Sequence, residues 1–251
     1  MSRQPFSVVI ITKNAATQLA ACLESAAFAD EILVVDSGSD DGTAELAAAR
    51  GARVIQKAWL GFGAQKQFAV EAARHDWVLC LDADERVSER LHASVLAALA
   101  APAAQAYSMP RCNRFMGRWL RHGEGYPDWS LRLFHRGHAR WSDDPVHEKV
   151  LTAAPVARLQ GDLLHDTAES LDAYLKKQER YTTLAAESLF RAGKRGGFAR
   201  MLLSPALRFF KFYFLRLGFL DGLPGLVHIA IGCRNSFGKY AKLRALQERN
   251  T

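Results

Sequence analysis

The sequence has few cysteines, and nothing pairs them. Cys22, Cys80, Cys112 and Cys233 lie far apart in 251 residues, with no Cys-x-x-Cys and no histidine pair at zinc spacing. That argues against a disulfide framework or a zinc site and fits reduced, structural thiols in the cytosol. Apolar runs of the ~20 residues needed to span a bilayer are also missing. The first run, Phe6–Thr12, meets Lys13 and Asn14 too soon for a signal-peptide core, so no export is expected. A Gly-x-x-x-x-Gly-Lys-[Ser/Thr] loop is absent, and no Gly-x-Gly-x-x-Gly follows the first apolar run. These absences argue against a P-loop ATPase and weaken a dinucleotide-binding reading. There is no internal repeat and no low-complexity linker. Acidic residues become scarce toward the end. Residues 191–251 hold 12 basic and 2 acidic side chains, whereas residues 1–100 hold 9 and 13. This asymmetry predicts a catalytic or ligand-binding body and a tail that meets something anionic, either nucleic acid or a membrane.

What is present is a globular composition, 49% hydrophobic and 24% charged, with enough apolar residues for a sizeable core. The first hundred residues alternate in type. Phe6–Thr12, Glu31–Asp36, Arg53–Gln56 and Trp77–Leu81 read as strands buried on both faces. Ala15–Ala27, Ala44–Arg50, Ala64–Arg74 and Ser88–Ala100 read as helices, with Thr43 and Ser88 as N-caps. The order predicts an α/β fold with a mostly parallel sheet flanked by helices. After Pro102 the segments shorten and become aromatic and basic; Tyr107–Met109, Leu131–His135 and Ala154–Leu159 read as an antiparallel or mixed extension. Beyond Ser170 the chain turns helical.

In such a sheet, ligands bind at the carboxyl ends of the strands. Polar clusters stand there: Thr12-Lys-Asn14, then Asp36-Ser-Gly-Ser-Asp-Asp41-Gly-Thr43, then Asp82-Ala-Asp84-Glu85. The plainer reading is turns and caps, where Asp, Ser and Gly are common. Two carboxylates two residues apart just past a buried strand can both approach one hard divalent cation, Mg²⁺ or Mn²⁺, the counter-ion a nucleotide diphosphate requires.

These three blocks, Ser7–Asn14, Val34–Thr43 and Leu81–Glu85, resemble glycosyltransferase family 2 with its GT-A, nucleotide-diphospho-sugar-binding fold. Pro127-Asp-Trp-Ser-Leu-Arg-Leu-Phe134 and Pro145-Val-His-Glu148 resemble its branch of bacterial lipopolysaccharide core β-1,4-glucosyltransferases. The resemblance implies an inverting, metal-dependent transfer of a sugar, glucose above others, from a UDP-sugar donor to a lipid-linked saccharide acceptor. It implies that Asp36, Thr12 and Asn14, flanked by Asp41, hold the nucleotide. Lys66, after the Gly61-Phe-Gly63 turn, would contact the donor, unless it is a solvated helix lysine. Asp84 would bind the metal directly, Asp82 the ribose or the metal through water, and His147 metal or phosphate. The family's Glu-Asp base motif is not recognisable here. The base is therefore open among Glu148, favoured, Asp128 beside Trp129, Glu124 and Asp144. Arg132 and Arg136 share strand parity and could meet diphosphate or an anionic acceptor; His165 reads as structural.

The expected organisation is a nucleotide-sugar-binding half, residues 1–100, an acceptor-binding half, 101–168, and a helical, membrane-associating extension, 169–251. In the extension, Phe209–Leu220 sets six aromatics beside Lys211 and Arg216. The pattern suits a helix in the interface of an anionic membrane, or else a core helix; the aromatics are too dense for nucleic acid. The resulting expectation is a peripheral enzyme on the cytoplasmic face of the inner membrane. The competing readings are a nucleotidyltransferase and a catalytically inactive membrane-associated nucleotide-sugar-binding protein.

Overall fold

A computed structural model describes residues 3–144, 148–166 and 170–249. The chain divides into two compact units, one of Met1–Arg111 with Asp128–His165, the other of Cys112–Pro127 with Asp166–Thr251. The helical unit thus takes in residues 112–127 as well as the segment assigned to it from sequence.

The first unit alternates β1 (Phe6–Thr12), α1 (Ala16–Ser25), β2 (Glu31–Asp36), α2 (Thr43–Ala49), β3 (Arg53–Gln56), α3 (Phe62–Ala72) and β4 (Trp77–Asp82). β5 (Glu85–Val87), α4 (Glu89–Ala100) and β6 (Ala106–Phe115) follow, then the two-residue β7 (Arg118–Trp119). β8 (Asp128–His135), β9 (Ala139–Trp141), β10 (Val150–Thr152), β11 (Val156–Arg158) and β12 (Leu163–His165) complete the strands. The main sheet has the order β3-β2-β1-β4-β8-β6-β12-β5 among the described residues. β3, β2, β1 and β4 are parallel, β8 runs antiparallel to β4 and β6, and β11 pairs parallel with β6.

The run Val8-Val9-Ile10 explains why β1 sits at the centre of this sheet. Val8 and Ile10 pack on one face with Leu19 of α1 and Leu91 and Val95 of α4. Val9 packs on the other with Val70 of α3 and Phe134. Period-2 alternation delivers both sets to apolar layers.

Two local expectations are revised. Ser88 caps α4 through Leu91 N, as its position suggested. Thr43 is instead the first residue of α2, and its hydroxyl accepts from Ala15 N and donates to Asp41. The helical run expected beyond Ser170 is also broken. α6 (Phe198–Phe209) continues as a π-helical turn, Phe210–Leu215, then a 3-10 turn, Gly218–Asp221, precedes α7 (Gly222–Glu248). In this second unit α7 packs on both α5 (Leu171–Arg191) and α6, and Ile231 of α7 joins Phe115 and Leu120 in a buried cluster lined by α5.

The crossing of residues 160–162 over the start of α4 sets β12 beside β5. Ser88 N donates to Asp162 O and Asp162 N to Ser88 Oγ. Gly161 has φ +93°, and a Cβ there would lie 2.2 Å from Leu91 N. Gly161→Ala should therefore lose about 2–3 kcal/mol in denaturant unfolding, through both the left-handed backbone and the collision.

Candidate active site

The polar strand ends meet along one edge of the sheet. Thr12 stands level with Asp36, Asp36 with Gln56, and Ile11 with Asp82. Because β8 is antiparallel to β4, its first residue, Asp128, lies toward that same edge.

Asp36 is fully buried and holds a ring of donors. Thr12 Oγ1 donates at 3.0 Å, Ser39 Oγ at 2.5 Å, and the amides of Gly38 and Ser39 at 3.0 and 2.9 Å. Burial alone would raise its carboxyl pKa; the Ser39, Thr12 and Gly38 hydrogen bonds outweigh it and hold the group below its ordinary value. Asn14, at φ +52°, donates its amide to Ser39 Oγ and accepts Asp40 N on its side chain. It thereby ties the loop after β1 to the loop after β2. Asp41 accepts from Ala16 N, Thr43 N and Thr43 Oγ1, so its carboxylate satisfies the first turns of α1 and α2.

A second group forms around Asp82. Lys66 is buried rather than solvated, and its ammonium lies 3.0 Å from Asp82 Oδ1 and 2.9 Å from Glu148 Oε1. Arg132, also buried, reaches Asp82 Oδ2 and Glu85 Oε1, both at 2.8 Å. Trp141 lies against both cations, 4.7 Å from Lys66 Nζ and 5.7 Å from the Arg132 guanidinium. Burial would raise the Asp82 pKa, but the Arg132 and Lys66 charges overcome it and keep the carboxylate ionised. Glu85 is wholly buried with Asp82 as a like-charged neighbour, and its pKa is raised. One Arg132 nitrogen is buried with no hydrogen-bond partner among the described residues.

A third pair was not anticipated. His165 Nε2 stands 3.3 Å from Asp84 Oδ2, because Glu85 and His165 are register partners of β5 and β12. From sequence His165 reads as structural, since about 80 residues separate it from the aspartates and only strand pairing joins them. The two donors suit a divalent ion. Ligands each about 2.1 Å from one metal and at right angles stand about 3 Å apart, and carboxylate with imidazole is acceptable to Mn²⁺. No cluster of three ligating side chains occurs among the described residues. Asp82 does not join this pair, since each of its oxygens is already held by a cation.

Of the remaining candidates, Asp128 accepts from Arg111 Nε and NH2 at 2.9 and 2.7 Å. Glu124 pairs with Arg208 inside the second unit, and Asp144 is exposed. His147 lies outside the described residues. Arg136 is a correction. It bonds Asp76 and the Ala73 carbonyl beyond the start of β4, because four strand residues carry it about 13 Å from Arg132, to the opposite sheet edge.

Comparison with known proteins gives a consistent result. The family model described as glycosyl transferase family 2 matches residues 7–158. A lipopolysaccharide core biosynthesis glycosyltransferase, LpsC of Rhizobium meliloti, is 32% identical over 95% of this chain and 92% of its own. An uncharacterized glycosyltransferase of Rickettsia typhi is 29% identical over 96% and 87%. Among solved structures, TarS residues 1–349 from S. aureus matches with TM-score 0.51 at 14% identity, covering 99% of this chain and 92% of that one. This last likeness supports the GT-A fold.

Removing Arg132 should expose the dependence of this edge on one cation. Arg132→Met leaves Asp82 and Glu85 short of their shared partner and should cost about 3–5 kcal/mol in urea unfolding at neutral pH. The Asp82 pKa is lowered in the fold, so its stabilising contribution is complete above the ordinary carboxylate range, about 4, and fades as pH falls below it. The deficit of the variant should accordingly shrink in acid; a deficit independent of pH would contradict the ion-pair account.

Proposed function

The chain belongs to glycosyl transferase family 2, and from that membership we propose that it moves glucose, with inversion, from UDP-glucose to a lipid-linked saccharide in lipopolysaccharide core biosynthesis. Membership sets aside the nucleotidyltransferase and inactive-binder readings. The core-biosynthesis assignment is supported by the likeness to LpsC along almost the whole length of both chains.

The observation that carries the chemistry is the placement of a metal-compatible pair, Asp84 with His165, and a cation-held carboxylate, Glu148, in the same unit around one Asp-x-Asp turn. In this reading Asp36 and Thr12 grip the nucleotide, and Lys66 meets the donor's negative charge. Asp84 and His165 hold Mg²⁺ or Mn²⁺, which when bound neutralises the charge developing on the diphosphate leaving group. Glu148 takes the proton of the acceptor hydroxyl as that oxygen bonds to the anomeric carbon and the bond to UDP breaks. Lys66, 2.9 Å away, holds the Glu148 carboxylate beside the Asp-x-Asp turn. Inversion needs one such base and no covalent sugar intermediate. Asp128 is the second choice of base; its Arg111 pair occupies one of its oxygens. The acceptor's lipid places the enzyme, in this proposal, on the cytoplasmic face of the inner membrane.

Nucleotide sugars should be ranked first by thermal stabilisation with Mg²⁺ and Mn²⁺, with UDP-glucose expected to give the largest shift. Asp84→Ala should abolish metal-dependent donor binding while the protein stays folded; full transfer in EDTA would remove the metal role. Glu148→Gln should leave donor affinity in place and depress turnover by roughly 10²–10⁴-fold. Survival of turnover in that variant, with loss in Asp128→Asn, would move the base to Asp128.

A further inference from the structure

The helical unit carries an apolar surface that its own packing does not cover. α6 buries none of its residues. Leu203, Leu207, Phe210 and Phe214 recur at helical spacing along α6 and its π-helical continuation, and Leu220 and Leu223 extend the exposed set past the bend. Leu207 is 67% exposed, Phe214 50% and Leu223 65%. Single exposed leucines are ordinary, but a contiguous set of this kind marks an interaction surface.

The bend that presents this surface is built, not frayed. Leu217 adopts φ +53°, and the Phe198–Leu215 helix meets the Gly218–Glu248 helix at 75°. Asp221, almost fully buried, accepts from the amides of Arg121 and His122 at 3.0 and 2.8 Å and from His122 Nδ1 at 3.0 Å. Gly123 N donates to Arg216 O, and Arg118 NH2 to Leu220 O. Gly218 sits so close that a Cβ would lie 2.7 Å from Phe212 O. Polar groups freed by the break are therefore satisfied from inside the unit, and the outer side is left apolar.

We infer that this bend is a monotopic insertion element: residues 203–223 sink into one leaflet of an anionic bilayer, as a re-entrant elbow and not as a helix adsorbed flat on the headgroups. Charge selects the occupant. Residues 191–220 hold seven basic and no acidic side chains. Arg208 is paired with Glu124, which leaves six; a second copy would set six further cations against these, whereas anionic lipid complements them. Lys194, Arg195 and Arg200 precede the apolar stripe and suit the headgroup layer, and Lys211 has a stem long enough to snorkel. Full crossing is disfavoured by α7 itself. From Arg234 onward it is tied to α5, through Arg234 and Lys242 to Glu179 and through Asn235 to Gln178, and those groups would be drawn into hydrocarbon. Among the described residues no single helix is long and apolar enough to cross a membrane, whereas the bent pair has the length and composition to do so. The inference deepens the membrane placement proposed above and does not rest on the transfer chemistry.

The test uses the full chain and phosphatidylethanolamine–phosphatidylglycerol vesicles, without nucleotide sugar, so failure of the transfer reading leaves its outcome untouched. The chain should float with the vesicles and stay bound in high salt. Leu207→Glu with Phe214→Glu should weaken partitioning at least about tenfold. Both side chains face outward, so an unchanged thermal melt is expected; Leu207→Gln with Phe214→Gln repeats the test without added charge. Phe214→Trp should gain fluorescence quenching by lipids brominated deep in their acyl chains. Release by salt, absence of quenching, or flotation of both double variants like the parent would overturn insertion. So would a vesicle-free dimer that the Glu variants dissociate, which would assign the face to a second copy.

Discussion

Arg132 is the group on which the active edge of the sheet depends. It is 5% exposed, and one of its nitrogens bridges Asp82 and Glu85. A carboxylate removed from water without a cation neutralises itself or destabilises the fold. One buried guanidinium between two carboxylates leaves a net negative charge, and Lys66 supplies the second cation. The same ammonium then carries Glu148, so the loop after β9 and the turn after β4 are joined electrostatically through α3. Gly63, one turn earlier on α3, packs so tightly against Ser142 that a Cβ would strike its carbonyl at 2.0 Å. Lys66 is thus brought within reach of both acids by backbone contact as well as by charge.

This arrangement divides the labour within Asp82-Ala-Asp84. Asp82 N donates to Glu85 Oε2 at 3.0 Å, which closes the turn between β4 and β5. Asp82 is committed to Lys66 and Arg132, while Asp84, equally half-buried, stands beside an imidazole. Two chemically identical side chains two residues apart therefore do different things. One carboxylate is held between two cations; the other faces an imidazole across the β5–β12 pairing. Glu85, the third acid, has no solvent access and serves to hold Arg132 and the turn in place.

The parallel half of the sheet was legible because its strands are continuous apolar runs that end on polar clusters, and the apolar layers on both faces leave one way to place them. The blocks at Thr12, Asp36 and Asp82 could be assigned to one edge for the same reason. What could not be read was anything set by pairing between distant strands. His165 lies beside Asp84 only through the β5–β12 register, and Arg132 lies beside Asp82 only because β8 runs antiparallel to β4. Arg132 and Arg136 share parity along the strand, but four residues of strand length put them at opposite edges. Asp41 and Thr43 carried a turn signature that admits ligand or cap, and their hydrogen bonds assign them to helix starts. Residues 112–127 gave no composition signal for joining the helical unit, since Glu124 and His122 find their partners about 84 and 99 residues away.

The helical unit shows how burial discriminates between readings that composition leaves equal. A run of aromatics with interspersed lysine and arginine suits a core helix or an interfacial one. A core helix needs buried positions, and α6 has none; it also carries Pro205, which costs a backbone hydrogen bond in the helix interior. A helix of this length is marginal alone in water. The polar interactions that anchor it point inward. Arg208, next to the most exposed leucines, turns its guanidinium onto Glu124 instead of into solvent, and Ser204 bonds Ser236 of α7. Glu124, considered from sequence as a catalytic base, is better understood here. It draws a cation off the outer face, and the face can be apolar because a carboxylate behind it takes the charge.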